Sequence, residues 1–161
     1  MPKVPNLVLE EGTWIPPTVV TEPSQYKEAT SLVSMPTNAT AITVIEMDAA
    51  ETWTSGTTLI IEFYAPALSV EGVLGGQVLF ISLFEGDTEL GYLAQISSGN
   101  DDINGSRSIF AQRRLAASGA AQTFKVKGRI AVAHTSAADW ISGGAGGVTT
   151  QLPMFLSVRP L

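Results

Sequence analysis

A period of two runs through this chain. Apolar residues recur at alternate positions or in runs of strand length, and helical periodicity is weak everywhere. The clearest segment is Phe124–His134, in which Phe124, Val126, Ile130 and Val132 fall on one face and Lys125, Lys127 and Arg129 on the other. That is the pattern of an antiparallel strand with one face on a core and one in water. Segments of this kind, punctuated by turn residues, predict strands near Leu32–Met35, Ala41–Met47, Thr57–Ala65, Gln77–Phe84, Glu89–Ile96, Arg107–Leu115, Gln122–His134 and Pro153–Val158. About eight strands at that spacing predict an all-β, antiparallel β-sandwich of jelly-roll type. The one exception expected is a short helical turn at Asp48–Trp53, capped by Asp48.

Residues 1–27 read differently, and the chain divides into an extended Pro-rich N-terminal arm (1–27) and a sandwich domain (28–161). Pro2, Pro5, Pro16, Pro17 and Pro23 favour extended or polyproline backbone and deny the arm a place in a central strand. Yet Val8, Leu9, Trp14, Ile15, Val19 and Val20 are too apolar for a solvated tail. The arm is expected to lie on a surface, with Trp14, Ile15, Val19 and Val20 as its anchors.

Two predicted strands are apolar on both faces. In Gln77–Phe84, Val78, Phe80 and Phe84 alternate with Leu79, Ile81 and Leu83; Leu59–Tyr64 is broken only by Glu62. A two-layer sandwich leaves one face of each sheet in water, so a doubly apolar strand needs a second cover: the arm, a long loop or another subunit. The expectation is an interface with another subunit or with a capsid, formed by Leu79, Ile81 and Leu83. In the next strand, Leu90, Tyr92 and Ala94 are placed on one face and Leu93 on the other, after a hairpin turn at Gly86-Asp87.

Composition points the same way. Charged residues make up 15% of the 161 residues, against a usual share of about 25%. The surface is then either rich in small residues or partly covered by partners, and the second is the expectation carried forward. Residues 1–100 hold two basic and twelve acidic residues; residues 101–161 hold seven basic and three acidic, for a net charge of -6. An acidic chain argues against a nucleic-acid partner. The asymmetry sets oppositely charged strands side by side in one sheet, or an acidic face against a basic face of a neighbour. No run approaches the roughly 20 apolar residues of a membrane span, and residues 1–20 have no leader-like apolar segment, so the expectation is a protein made in the cytoplasm with no membrane partner.

No catalytic, cofactor or metal site is expected. The chain has no cysteine. Asn100–Gly105 has alternate oxygen ligands, but position one is Asn100 and the position of the bidentate glutamate is Ala111, so an Asx-rich surface turn is the reading. His134, with Ser136 and Asp139 nearby, lacks a nucleophile elbow and reads as a strand-end histidine. Gly143–Gly147 has no following Lys-Ser/Thr and reads as a loop. The acidic pairs Glu46/Asp48, Glu85/Asp87 and Asp101/Asp102 read as solvated turn residues. Trp14, Trp53, Trp140 and Tyr64 are candidates for a sugar-stacking platform; Trp140, with Asp101 and Asp102, marks a possible ligand loop.

The Pro-rich apolar arm Met1–Lys27, the segment Thr52–Tyr64 (TWTSGTTLIIEFY), the run Gln77–Gln95 (QVLFISLFEGDTELGYLAQ) and the lack of cysteine together resemble small structural proteins of tailed-phage virions: capsid decoration proteins, head fibres and fibre-tip domains. The resemblance is one of general style and transfers no site residues. It implies a virion location and a homo-oligomer, a trimer, bound to the major capsid protein or another virion protein. The alternative it implies is a receptor- or carbohydrate-binding module of a phage fibre or tail tip.

Overall fold

The computed structural model describes residues 9–10, 13–14, 22–36, 39–70, 77–98, 103–131, 140–142 and 152–161; at 9, 10, 13, 14, 103–106, 140 and 142 only the backbone is described. These residues form strands β1 (Leu9–Glu10), β2 (Thr13–Trp14), β3 (Gln25–Ala29), β4 (Leu32–Ser34), β5 (Ile42–Glu46), β6 (Glu51–Thr52), β7 (Thr58–Val70), β8 (Val78–Glu85), β9 (Thr88–Ser97), β10 (Ile103–Ala116), β11 (Ala121–Gln122), β12 (Phe124–Ile130), β13 (Trp140–Ser142) and β14 (Met154–Pro160). Among the described residues there is no helix. The turn expected at Asp48–Trp53 is instead a bend leading into β6, which pairs with β11. Asp48 is drawn off to an ion pair with Lys27, 2.6 Å away.

β7 is the spine of one antiparallel sheet. It pairs along one side with β10 over its whole length. On the other side it pairs with β14 from Leu59 to Tyr64 and with β13 from Ala67 to Ser69. β14 in turn pairs with β3, and β13 with β4. As strand lines, this sheet runs β3/β4, β14/β13, β7, β10. The second sheet runs β5, β12, β8, β9. Chain order alternates between the two sheets in the manner of a jelly roll, which confirms the predicted fold class. All eight predicted strands form. Of the further strands, β3 and β13 complete lines that already existed, while β1 with β2 and β6 with β11 form separate two-stranded pairs.

Pro66 lies inside β7, where a proline removes a ladder donor. It falls between Tyr64, the last residue paired with β14, and Ala67, the first paired with β13. It also lies opposite a register shift in β10 between Arg107 and Ile109. The missing N–H thus sits where both ladders are interrupted.

The core lies between the sheets. Phe124, Val126 and Ile130 point inward from β12, as alternation predicted; Leu59, Ile61, Phe63 and Ala65 point inward from β7, and Leu156 and Val158 from β14. Gly128 takes the remaining inward position of β12, where a Cβ would stand 2.8 Å from the Met35 sulfur. In β9 the simple alternation fails. Register shifts opposite Ile81/Ser82 and Leu83/Phe84 leave Leu93 and Leu90 as extra residues. Such bulges re-aim side chains, so Leu90, Leu93, Ala94 and Ile96 all pack against the core while Tyr92 is exposed.

Candidate functional site

The inward set of β8 is Leu79, Ile81 and Leu83, each with no exposed surface. These residues, expected at an interface, instead face the opposing sheet, because they fall in phase with the inward residues of β12: Leu83 opposite Val126 and Leu79 opposite Ile130. The outward face of β8 belongs to Val78, Phe80, Ser82 and Phe84, and here the chain supplies its own cover. Cross-strand register places Lys127 beside Ser82, Lys125 beside Phe84 and Arg129 beside Phe80. The Lys127 ammonium lies 4.5 Å from the Phe84 ring centre. The Arg129 guanidinium lies 4.4 Å from that of Phe80 and donates to the Tyr92 hydroxyl at 2.8 Å. Tyr92 stacks on Phe80 at 5.0 Å. Long cationic side chains thus spread their stems and charges over the rings, and Phe84 is only 9% exposed. On this face the chain itself covers Phe84 and part of Phe80, while Tyr92 stays exposed.

The opposite face of the sandwich is organised in rows. Across β10, β7, β14 and β3 the register aligns Phe110, Tyr64, Phe155 and Glu28; the next row is Gln112, Glu62, Ser157 and Tyr26; the third is Arg114, Ile60 and Arg159. The rings form a continuous strip: Tyr26 to Phe155 is 5.6 Å between centres, and Phe155 to Tyr64 another 5.6 Å. Among the described residues no cation lies over these rings. Tyr26 is 59% exposed, Phe110 62% and the adjoining Leu152 68%. Tyr26, Glu28, Tyr64, Leu152, Pro153 and Phe155 line a shallow cleft of about 150 Å³. Drug-sized ligand pockets run to roughly 300–1,000 Å³, so this surface suits a side chain or a single ring.

The polar row centres on Glu62. Its carboxylate accepts from Gln112 Nε2 at 2.9 Å and Ser157 Oγ at 3.2 Å, and lies 3.4 Å from the Arg159 guanidinium. Partial burial pushes its pKa up, but the bonds from Gln112, Arg159 and Ser157 outweigh that and hold it below the ordinary carboxylate value. Asp87 is likewise lowered, chiefly by its hydrogen bond from Lys125 at 3.0 Å, and Glu22 by hydrogen bonds from Thr54. A general acid needs the opposite displacement. Among the described residues no three His, Asp or Glu side chains are grouped to hold a metal. The charge asymmetry is in part internal: Lys125 meets Glu46 and Asp87, and Arg159 meets Glu62.

Of the sugar-platform candidates, Trp53 is fully buried. Its ring packs on Phe124 at 6.0 Å, and its indole N–H donates to the Pro23 carbonyl at 2.7 Å. With Glu22 accepting from the Thr54 N–H at 3.2 Å, this contact roots the arm on the domain. Trp140 was expected in a loop; its backbone is in β13, because Ile141 occupies a core position between β4 and β7. Tyr64 stands in the exposed strip. Trp14 is in β2, and its side chain lies outside the described residues, as do Ile15, Val19, Val20, Asp101, Asp102, His134 and Gly143–Gly147. Ile103–Gly105, expected in a turn, begin β10. Sequence reading did not single out Tyr26, Phe110, Leu152 or Phe155. A signal existed for Phe155: Met154, Leu156 and Val158 share one face and leave Phe155 on the other with Ser157 and Arg159.

No family model matches this chain, and no curated protein matches it. Among solved structures the chain is similar to the structure of the infectious bursal disease virus Gx strain, with 10% identity, a TM-score of 0.41, and coverage of 96% of this chain and 37% of that one. It is also similar to the VP2 subviral particle of the same virus, with 12% identity, a TM-score of 0.38, and coverage of 96% and 41%. A third is the T13 viral particle of that virus, with 12% identity, a TM-score of 0.37, and coverage of 96% and 39%. The chain spans about two fifths of the length of those chains.

Proposed function

We propose that this chain is a non-enzymatic structural protein of a virus particle. It self-associates, as a trimer on the tailed-phage resemblance, and decorates a capsid surface through its N-terminal arm, with a neighbouring subunit or another virion protein as partner. The observation that carries this reading is the strip Tyr26–Phe155–Tyr64–Phe110 with Leu152, exposed at Tyr26, Phe110 and Leu152 and half-buried at Phe155 and Tyr64. A contiguous exposed apolar patch on a soluble domain marks a contact surface, and the jelly roll supplies a rigid block on which to present it. The mechanism is mechanical: weak contacts repeated across an assembly add up to strong attachment. Light scattering on the full chain across micromolar concentrations tests it; a defined oligomer is expected, and a clean monomer throughout overturns the reading.

The same strip favours one other reading, a receptor- or carbohydrate-binding module, because aromatic faces stack on sugar rings and the cleft beside Tyr26 holds one ring. Deleting residues 1–20, which leaves the Glu22-Pro23 root, β3 and Tyr26 in place, separates the two. A decoration protein then loses particle association, whereas a binding module keeps its ligand.

A further inference from the structure

The side chains of the cleft beside Tyr26 offer ring faces and acceptors, and almost no donors. Tyr26, Tyr64 and Phe155 form its floor, with neighbouring ring planes inclined by 33° and 32°. Register sets Glu28 on β3 directly beside Phe155, and Glu28 is exposed. The Tyr26 hydroxyl donates to Glu28 Oε1 at 2.7 Å. That bond engages the hydroxyl proton and holds the Tyr26 pKa above the ordinary tyrosine value. Leu152 and Pro153 add apolar wall, and proline has no N–H to offer. Among the described lining side chains, only the Tyr64 hydroxyl keeps a proton to donate, and none is Lys, Arg, Asn or Gln. Glu28 forms no ion pair among the described residues. A sugar hydroxyl both donates and accepts, so a site for it needs donors as well. A guanidinium only donates, is planar and stacks on aromatic faces.

The other face of the molecule shows the same chemistry completed. There Arg129 lies 4.4 Å from the Phe80 ring and donates to the Tyr92 hydroxyl, and Lys127 lies 4.5 Å from Phe84. In the cleft the rings and the carboxylate are in place without a cation. We propose that the cleft binds the guanidinium of an arginine side chain presented by a basic segment of another protein. Its face lies on Tyr26 and Phe155, and its N–H groups donate to Glu28. Lys27 is turned away to Asp48, and Arg159 is held by Glu62. Arg114 stands on β10, across β14 and β7 from Glu28, so none of these completes the site. The net charge of -6 repels like copies and attracts a basic partner at long range. The inference rests on the reading of this face as a contact surface and names the chemistry of what the surface takes.

The test titrates the isotope-labelled full chain with a blocked Gly-Arg-Gly peptide and follows the ring signals of Tyr26, Tyr64 and Phe155 by NMR. The same peptide with citrulline, a neutral isostere of arginine, is the control. The arginine peptide shifts all three rings and binds about fivefold or more tightly than the citrulline peptide. Glu28→Gln, which keeps the shape, weakens arginine binding by about three- to tenfold. Glu89→Gln, which removes an equal charge from the exposed β9 edge of the other sheet, leaves it unchanged. Equal binding of the two peptides, or no selective loss in Glu28→Gln, overturns the proposal, because diffuse charge then accounts for the attraction. Larger shifts of the same rings by methyl glucoside make the cleft a sugar site and end it. Ring shifts that grow with protein concentration alone and block the peptide make a second copy the occupant and end it too. Light scattering reads self-association separately: a monomer that binds the arginine peptide as described keeps this site and overturns only self-association.

Discussion

Both outward faces of the sandwich carry aromatic rings on central strands, but only on one of them do cations lie across the rings. On the β8 face, every outward position of the neighbouring strand β12 that meets Phe80, Ser82 or Phe84 is Lys or Arg, and those side chains lie across the rings. On the β7 face, both outward neighbours of Tyr64 are phenylalanines, Phe110 and Phe155. Row for row the local physics is the same alternation of a half-buried strand. What separates a closed surface from an open one is the identity of the cross-strand partner, which is set by register. Two apolar faces on one strand therefore do not by themselves call for another subunit; a basic neighbouring strand satisfies one of them.

The comparison can be strained at both ends. The largest effect belongs to the inward set: Leu83→Ala on β8 lowers unfolding free energy by about 2–5 kcal/mol, read by denaturant titration, and an unchanged midpoint would contradict its place in the core. Next is the cover itself. Arg129→Ala removes the stacking on Phe80 and the bond to Tyr92, at a cost of about 1–2 kcal/mol, and increases binding of a hydrophobic dye. If dye binding stays at the wild-type level, the cation is not what closes that face. A pH effect comes third. Because the folded pKa of Glu62 is lowered, its contribution to stability is fully present above the ordinary value near 4.5 and is lost as pH falls through the folded value. Acid titration of stability should therefore flatten in Glu62→Gln; an identical acid limb in the variant removes Glu62 from the account. The smallest effect on stability is expected at the open face, where Phe110→Ser changes unfolding free energy by no more than about 0.5 kcal/mol, while solubility rises and self-association weakens.

Much of this fold was legible in the sequence because alternation is local. The β12 segment showed its inward and outward sets directly, and the turn at Gly86-Asp87 appears where glycine was placed for it, with Gly86 at φ 55°. Three things were not legible, each for a non-local reason. The bulges in β9 turn Leu90 and Leu93 to the same side, and nothing in a period of two announces an extra residue. The choice of face for Leu79, Ile81 and Leu83 depends on the register with β12, which two equally apolar faces leave undecided. The open strip joins residues as far apart as Tyr26 and Phe155, and only the pairing of β3 with β14 and of β14 with β7 makes them neighbours. The burial of Trp53 follows from its own contacts with Phe124 and Pro23, which lie 71 and 30 residues away.

The change of partner along β7 has a consequence for how this architecture could vary. Ser142 is laddered to Ala67 and Phe155 to Tyr64, so the chain leaves and rejoins the spine at nearly the same point. Such a detour works like an expansion joint. Extra chain inserted there stretches no rung on either side of Pro66, and the closure entropy of a longer loop grows only by about 0.6 kcal/mol per doubling. Chains of this architecture could therefore carry enlarged or exchanged appendages at this joint while the block beneath keeps its shape.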